Sequence, residues 1–160
     1  MPPSFVESDT LWVATVSDPG SDLAAPSGAR TVLVVDDERE VVSDLAMALR
    51  DLGYEVETAC NGADAIERAI ALRPALVITD VLMPVIDGIA LAKALRQHPA
   101  TADARIVLSS GVSEASVRAL FKDYDAFLQK PYELDDLRMT ATALLSGEAI
   151  GKGFGRLHGR

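Results

Sequence analysis

A single cysteine among 160 residues, Cys60, excludes any internal disulfide. Its place in an apolar-rich stretch marks it as a small core residue, which fits a reducing cytoplasm. Positive charge is scarce as well. Fifteen Lys and Arg stand against 24 Asp and Glu, a net charge of −9, so the chain lacks the positive field that nucleic acids or anionic membranes require. Direct DNA binding is therefore not expected. No basic residue precedes Arg30, and the early apolar stretch from Leu11 to Val16 is too short for a signal-peptide core or a membrane span. Neither export nor membrane insertion is expected. Of the two histidines, His98 precedes Pro99 in a loop and His158 lies in a glycine-rich end, and both are assigned to the surface.

What is present suffices for one core of ordinary size, with 49% of residues apolar. Residues 1–30 mix Pro2, Pro3, Pro19, Gly20, Pro26 and Gly28 with scattered Ser and Asp and read as a flexible leader. Trp12 stands out there, either as part of a docking segment or, as preferred, one aromatic in a loose tail. Residues 147–160 carry Gly151, Gly153, Gly155 and Gly159 and read as a loose basic tail. Between them, over 31–146, short β-branched runs alternate with helix-period segments. Strands are expected at Thr31–Val35, Tyr54–Thr58, Ala75–Thr79, Ile106–Ser109 and Ala126–Gln129. Helices are expected at Glu38–Leu52 with Gly53 as a left-handed stop, Asn61–Leu72 ended by Pro74, Ile86–Gln97, Ser113–Lys122 and Glu133–Leu145. Five strands alternating with five helices imply a doubly wound (βα)5 fold of α/β class, a parallel sheet with both faces covered. Ligands of such sheets bind beyond the carboxyl ends of the strands.

Those ends carry the chemistry. Strand one ends in Asp36-Asp37, strand three in Asp80, strand four in Ser109-Ser110 and strand five in Lys130-Pro131. A carboxylate where a buried strand runs out is costly unless it has a partner. Two carboxylates about 4 Å apart repel by about 4 kcal/mol at an effective dielectric of about 20, so the acids must take up protons or recruit a cation. Mg²⁺ suits one or two carboxylates, some waters and phosphate oxygens. With that charge neutralised and Lys130 alongside, Asp80 can attack phosphorus and become an aspartyl phosphate, hydrogen-bonded by a strand-four serine. Asp36 as a simple helix cap, Lys130 as a solvated lysine and Phe127 as plain core are the blander readings of the same residues. Asp87-Gly88 is assigned to the start of helix three, without direct chemistry.

Val32-Leu33-Val34-Val35-Asp36-Asp37-Glu38, Asp80-x-x-Met83-Pro84-x-x-Asp87-Gly88, Ser110-Gly111 and Phe127-Leu128-Gln129-Lys130-Pro131 occur in order at the ends of the matching strands. Together they resemble the receiver domain of two-component response regulators, over residues 31–146. The resemblance implies a flavodoxin-like strand order 2-1-3-4-5, with Asp80 as phosphoacceptor and Mg²⁺ held by Asp36, Asp37, Asp80 and the backbone carbonyl of Leu82. Asp37 is then the direct ligand, Lys130 pairs with the phosphoryl group, and its bond to Pro131 is cis. Ser110, followed by glycine, fits the switch hydroxyl better than Ser109, and Phe127 matches an aromatic that turns inward when that hydroxyl moves. Two departures stand out: the turn into helix four is shortened, and Asp123 occupies a position where the family often closes helix four with Gly.

The expected protein is a stand-alone receiver, phosphorylated by a sensor histidine kinase or histidine phosphotransfer protein. It is not a conventional enzyme, since only its own phosphorylation and dephosphorylation are catalysed. Output would pass to a downstream effector through helix four, strand five and helix five, with Val117, Phe121, Tyr124, Leu134 and Leu137 shifting; dimer formation on phosphorylation is left open. One alternative is a Mg²⁺-dependent phosphohydrolase similar to haloacid dehalogenases, though these carry a second acid two residues after the nucleophile, where Leu82 stands. The other is a receiver-like binding module that is never phosphorylated.

Overall fold

The computed structural model describes residues 30–146. The leader, apart from Arg30, and the glycine-rich tail, with Trp12 and His158, lie outside the described residues. Within them the order is β1 (Thr31–Val35), α1 (Arg39–Arg50), β2 (Glu55–Ala59), α2 (Gly62–Leu72), β3 (Leu76–Asp80), α3 (Gly88–Gln97), β4 (Arg105–Ser110), α4 (Glu114–Arg118), β5 (Ala126–Gln129) and α5 (Leu134–Leu145). All pairings are parallel, and the sheet order is β2-β1-β3-β4-β5.

Alternation along the strands builds two apolar layers, because successive side chains leave a strand on opposite faces. Leu33, Val35, Val77, Ile106, Leu108 and Phe127 face α2, α3 and α4, where Ala65, Leu91, Leu95 and Val117 meet them. Val32, Val34, Leu76, Ile78, Val107 and Leu128 face Val42, Leu45 and Leu49 of α1 and Leu137, Ala141 and Leu144 of α5. Central strands buried on both faces explain the near-continuous apolar runs in the sequence.

Most helix ends follow the expected local chemistry. Asn61 caps α2 through the amide of Asp64 at 2.8 Å, and Asp87 caps α3 through the amide of Ala90 at 2.8 Å. Gly53 is left-handed with φ of 97°, the expected stop after α1. Helix α2 closes on Arg73, also left-handed at φ 51°, immediately before Pro74.

Several bounds depart from expectation. Strand β2 begins one residue late, at Glu55, because the Tyr54 amide still bonds the Leu49 carbonyl at the helix exit. Cys60 follows that strand and is half-buried, less enclosed than a core residue. The largest departure is α4, which has five residues where ten were expected. The amides of both Leu120 and Phe121 converge on the Val117 carbonyl, and the chain then straightens to stack Tyr124 between Phe121 and Phe127, with ring centroids 6.4 and 6.3 Å apart. Asp123 is not left-handed, since Arg73 and Val85 are the non-glycine positive-φ residues among those described. It serves instead as a partner for Arg96, whose guanidinium lies 3.3 Å from its carboxylate and 3.0 Å from that of Asp125.

Gly88 ties this scaffold to the end of β3. Its amide donates to the Val81 carbonyl at 2.8 Å, and a Cβ there would collide with the carbonyl of Asp80 and lie 2.8 Å from the Val81 Cα. Only a residue without a side chain lets α3 start so close to that strand end. Gly88→Ala should therefore cost about 1–3 kcal/mol through enforced backbone displacement, read as a lowered thermal midpoint; an unchanged midpoint would refute this account of the close approach.

Candidate functional site at the carboxyl end of the sheet

The sheet gathers the strand-end residues at one edge. Asp36 and Asp80 are buried and Asp37 is exposed, and one carboxylate oxygen from each lies within 4.8 Å of the others. Lys130 reaches in from the end of β5, with Nζ 3.3 Å from Asp80 Oδ1 and 3.6 Å from Asp36 Oδ2. The other Asp36 oxygen accepts the Glu38 amide at 3.0 Å. Asp36 thus holds the turn leading into α1 and the lysine at once, while the N-cap of α1 is Glu38, without a side-chain cap bond. The Lys130–Pro131 bond is cis.

The electrostatics show an imbalance. Burial pushes the Asp80 carboxyl above its usual range, with the charges of Asp36 and Asp37 adding to the rise and Lys130 opposing it. Burial likewise raises Asp36, against the Glu38 amide and Lys130. For Lys130, burial works to lower the value, yet the combined charges of Asp80 and Asp36 hold it above normal. One ammonium therefore serves two enclosed carboxylates, with a third acid alongside. That donor set fits a hard divalent cation: oxygens bound to one Mg²⁺ at about 2.1 Å sit at most about 4.2 Å apart, a slight contraction of the observed cluster. Leu82, two residues beyond Asp80, is 60% exposed beside this edge.

Register separates the two serines. Asp80 pairs with Ser109 across β3 and β4, and register partners in neighbouring strands share a face. Ser110 has the opposite parity, is fully buried, and its hydroxyl accepts the Val112 amide at 3.1 Å. Ser110, expected as the switch hydroxyl, and Ser109 thus leave β4 on opposite faces. Phe127 is 1% exposed and packs into the α4-side core. Val117, Tyr124 and Leu137 are buried too, and the exposed large apolar residues on this side are Leu120, just beyond α4, and Leu134 and Met139 of α5.

Two neighbours escaped sequence reasoning. The phenol of Tyr132 is pushed up to about 12, mainly by burial and by the Asp36 charge, and it hydrogen-bonds with Ser109. Its place directly after Lys130-Pro131 was the available signal. With Lys130, Pro131 and the α1 residues Val41 and Leu45 it lines a groove of about 530 Å³ that opens beside the acids. Gln129, directly before Lys130, points the other way, onto the turn after β4.

Because Asp36 and Asp80 bind protons more tightly folded than unfolded, they withdraw stability as pH rises from the ordinary carboxylate range through their raised values. Without metal, Asp80→Asn should therefore be more stable than wild type at pH 7, by on the order of 1 kcal/mol. The advantage should shrink toward pH 4, where wild type takes up its protons. Thermal melts of both proteins in chelator across that range test this, and a constant difference would sink it.

Comparison with known proteins agrees with this geometry. Residues 32–142 match the family described as the response regulator receiver domain. The chain is 35% identical over 131 residues to the transcriptional regulatory protein PrrA of Mycobacterium leprae, covering 76% of this chain and 56% of that protein. It is 31% identical over 121 residues to the alkaline phosphatase synthesis transcriptional regulatory protein PhoP of Bacillus subtilis, covering 76% and 50%. The chain thus spans about half the length of these curated relatives. Among solved structures, the chemotaxis protein CheY4 of Vibrio cholerae superposes with a TM-score of 0.69 at 29% identity, covering 73% of this chain and 99% of that one. The signal receiver domain of a histidine kinase from Syntrophus aciditrophicus gives 0.68 at 33% identity, covering 76% and 97%. A carboxylate cluster with its lysine at the strand ends, the doubly wound sheet and the family match have one common reading: the chain belongs to the response regulator receiver domain family.

Proposed function

We propose that this chain accepts a phosphoryl group on Asp80 from the phosphohistidine of a sensor histidine kinase or histidine phosphotransfer protein. The observation that carries the reading is the Lys130 ammonium, 3.3 Å from Asp80 and 3.6 Å from Asp36, beside three gathered carboxylates. A carboxylate oxygen of Asp80 attacks phosphorus in line while the bond to the donor nitrogen breaks. Lys130 neutralises charge on the phosphoryl oxygens, and Ser109, the register partner of Asp80, supplies a hydroxyl to one of them. Asp36, Asp37, Asp80 and the Leu82 carbonyl would hold Mg²⁺, with Asp37 as the direct ligand. When bound, Mg²⁺ supplies neutralisation of the phosphoryl charge.

The product is a signalling state, in a cytoplasmic protein that is not a conventional enzyme. Output runs through α4, β5 and α5 to an effector protein, with Leu120, Leu134 and Met139 as exposed contacts. Val117, Tyr124 and Leu137 would shift beneath that surface. CheY4 is matched over 99% of its chain, whereas PrrA and PhoP are named transcriptional regulators and are about twice the matched length. The net charge of −9 weighs against direct DNA binding by this chain. A hydrolase is disfavoured by Leu82, and an unphosphorylated module by the intact acids and lysine.

With Mg²⁺ and acetyl phosphate, intact mass should show a phosphoryl adduct that Asp80→Asn lacks; an adduct surviving that substitution would overturn the reading, and repeated turnover of phosphate esters would favour the hydrolase. Lys130→Ala should slow adduct formation by about 10²-fold or more. Ser109→Ala should change the adduct's formation or lifetime more than Ser110→Ala does. Size-exclusion chromatography of the adduct reads out dimer formation.

A further inference from the structure

Gln129 ends β5, one residue before Lys130. Its side-chain Nε2 lies 3.2, 3.0 and 3.1 Å from the carbonyl oxygens of Ser110, Gly111 and Val112. An amide group with two hydrogens thus serves three successive carbonyls of the turn between β4 and α4. That turn has few apolar anchors of its own. Gly111 is exposed, with open space where a Cβ would stand, Val112 is 39% exposed, and the helix that follows has five residues.

The other side of the connection is equally short. Strand alternation sends the Lys130 side chain to the face opposite Gln129, where it meets Asp80 and Asp36. The Lys130 backbone amide meanwhile donates to the Ser110 carbonyl at 2.8 Å. One peptide unit therefore joins the cation at Asp80 to the carboxamide that grips the turn. A displacement of the Lys130 backbone would pass through that unit to the same three carbonyls.

We propose that Gln129 is a positioning residue that couples the chemical state of Asp80 to the β4–α4 turn, and through it to α4. The proposal rests on the reading of Asp80 as phosphoacceptor. It is separable from that reading, because Gln129 is part of neither the acid cluster nor its lysine.

Amide NMR spectra of the full chain, with and without Mg²⁺ and beryllofluoride, test it in wild type, Gln129→Met and Gln129→Lys. Wild type should shift at amides beside Asp80 and at residues 111–118. In Gln129→Met the shifts beside Asp80 should remain, those at 111–118 should fall by roughly half or more, and the Val112 and Ser113 amides should exchange about tenfold faster or more. Gln129→Lys, which restores donors, should recover much of the response at 111–118. A purely structural role would lower the melting point of Gln129→Met and leave its response at 111–118 intact, which would overturn the coupling. If Gln129→Met does not fold, Gln129→Glu, similar in shape and without donors, takes its place with the same expected and overturning results. Absence of beryllofluoride binding in wild type would overturn both readings at Asp80, whereas binding with an unaltered response in the variants overturns the coupling alone.

Discussion

Two buried carboxylates share one ammonium at the end of this sheet, and much of the molecule is arranged around that shortage of positive charge. Desolvation alone would drive Asp36 and Asp80 to take up protons. Lys130 offsets part of the cost and is itself held charged by the acids. The arrangement persists because the scaffold leaves no room to relax. Gly88 packs α3 on the Asp80 backbone, Asp36 is tied to the Glu38 amide, and Lys130 is anchored to Ser110 through its own amide. The net deficit is what makes the cluster a ready site for a divalent cation and a phosphoryl group.

Strand parity divides the labour around this centre. Asp80, Ser109 and Lys130 work toward the α1 and α5 side, where Tyr132 closes over them. Ser110, Phe127 and Gln129 have the opposite parity and belong to the α4 side. Each strand end thus presents one residue to the chemistry and its neighbour to the element expected to report it. On that second side a five-residue α4 is held by polar contacts, among them the Tyr124 hydroxyl donating to Glu114 at 2.8 Å, and by the aromatic stack beneath it. Such a short helix buries little of its own surface, so side chains from β5 and the following turn set its position.

The sheet and the set of acids with their lysine were legible because each has a local cause, while the strand order came from the family resemblance. β-Branched runs make buried parallel strands, Asn61 and Asp87 cap their helices, and consecutive acids at strand ends require a charge partner wherever the strands meet. Other features were not legible. Helix α4 stops early because Phe121 and Tyr124 are drawn into the core, a long-range demand that outweighs the helical preference of Ala119 to Lys122. Asp123 stands where the family often has glycine, with its carboxylate 3.3 Å from Arg96, 27 residues earlier in the chain. Which of Ser109 and Ser110 pairs with Asp80 depends on register, which a one-residue slip inverts.

Sequence alone therefore determined the fold class and the identity of the charged groups, since periodicity and charge cost act within a few residues of chain. Tertiary structure decided which of two adjacent serines neighbours Asp80, that Phe127 already lies inside, and that Gln129 and Tyr132 flank the site. These are matters of which face of a strand a side chain leaves and what the neighbouring strand sets beside it. Strand pairing fixes both, and it joins residues that are dozens of positions apart.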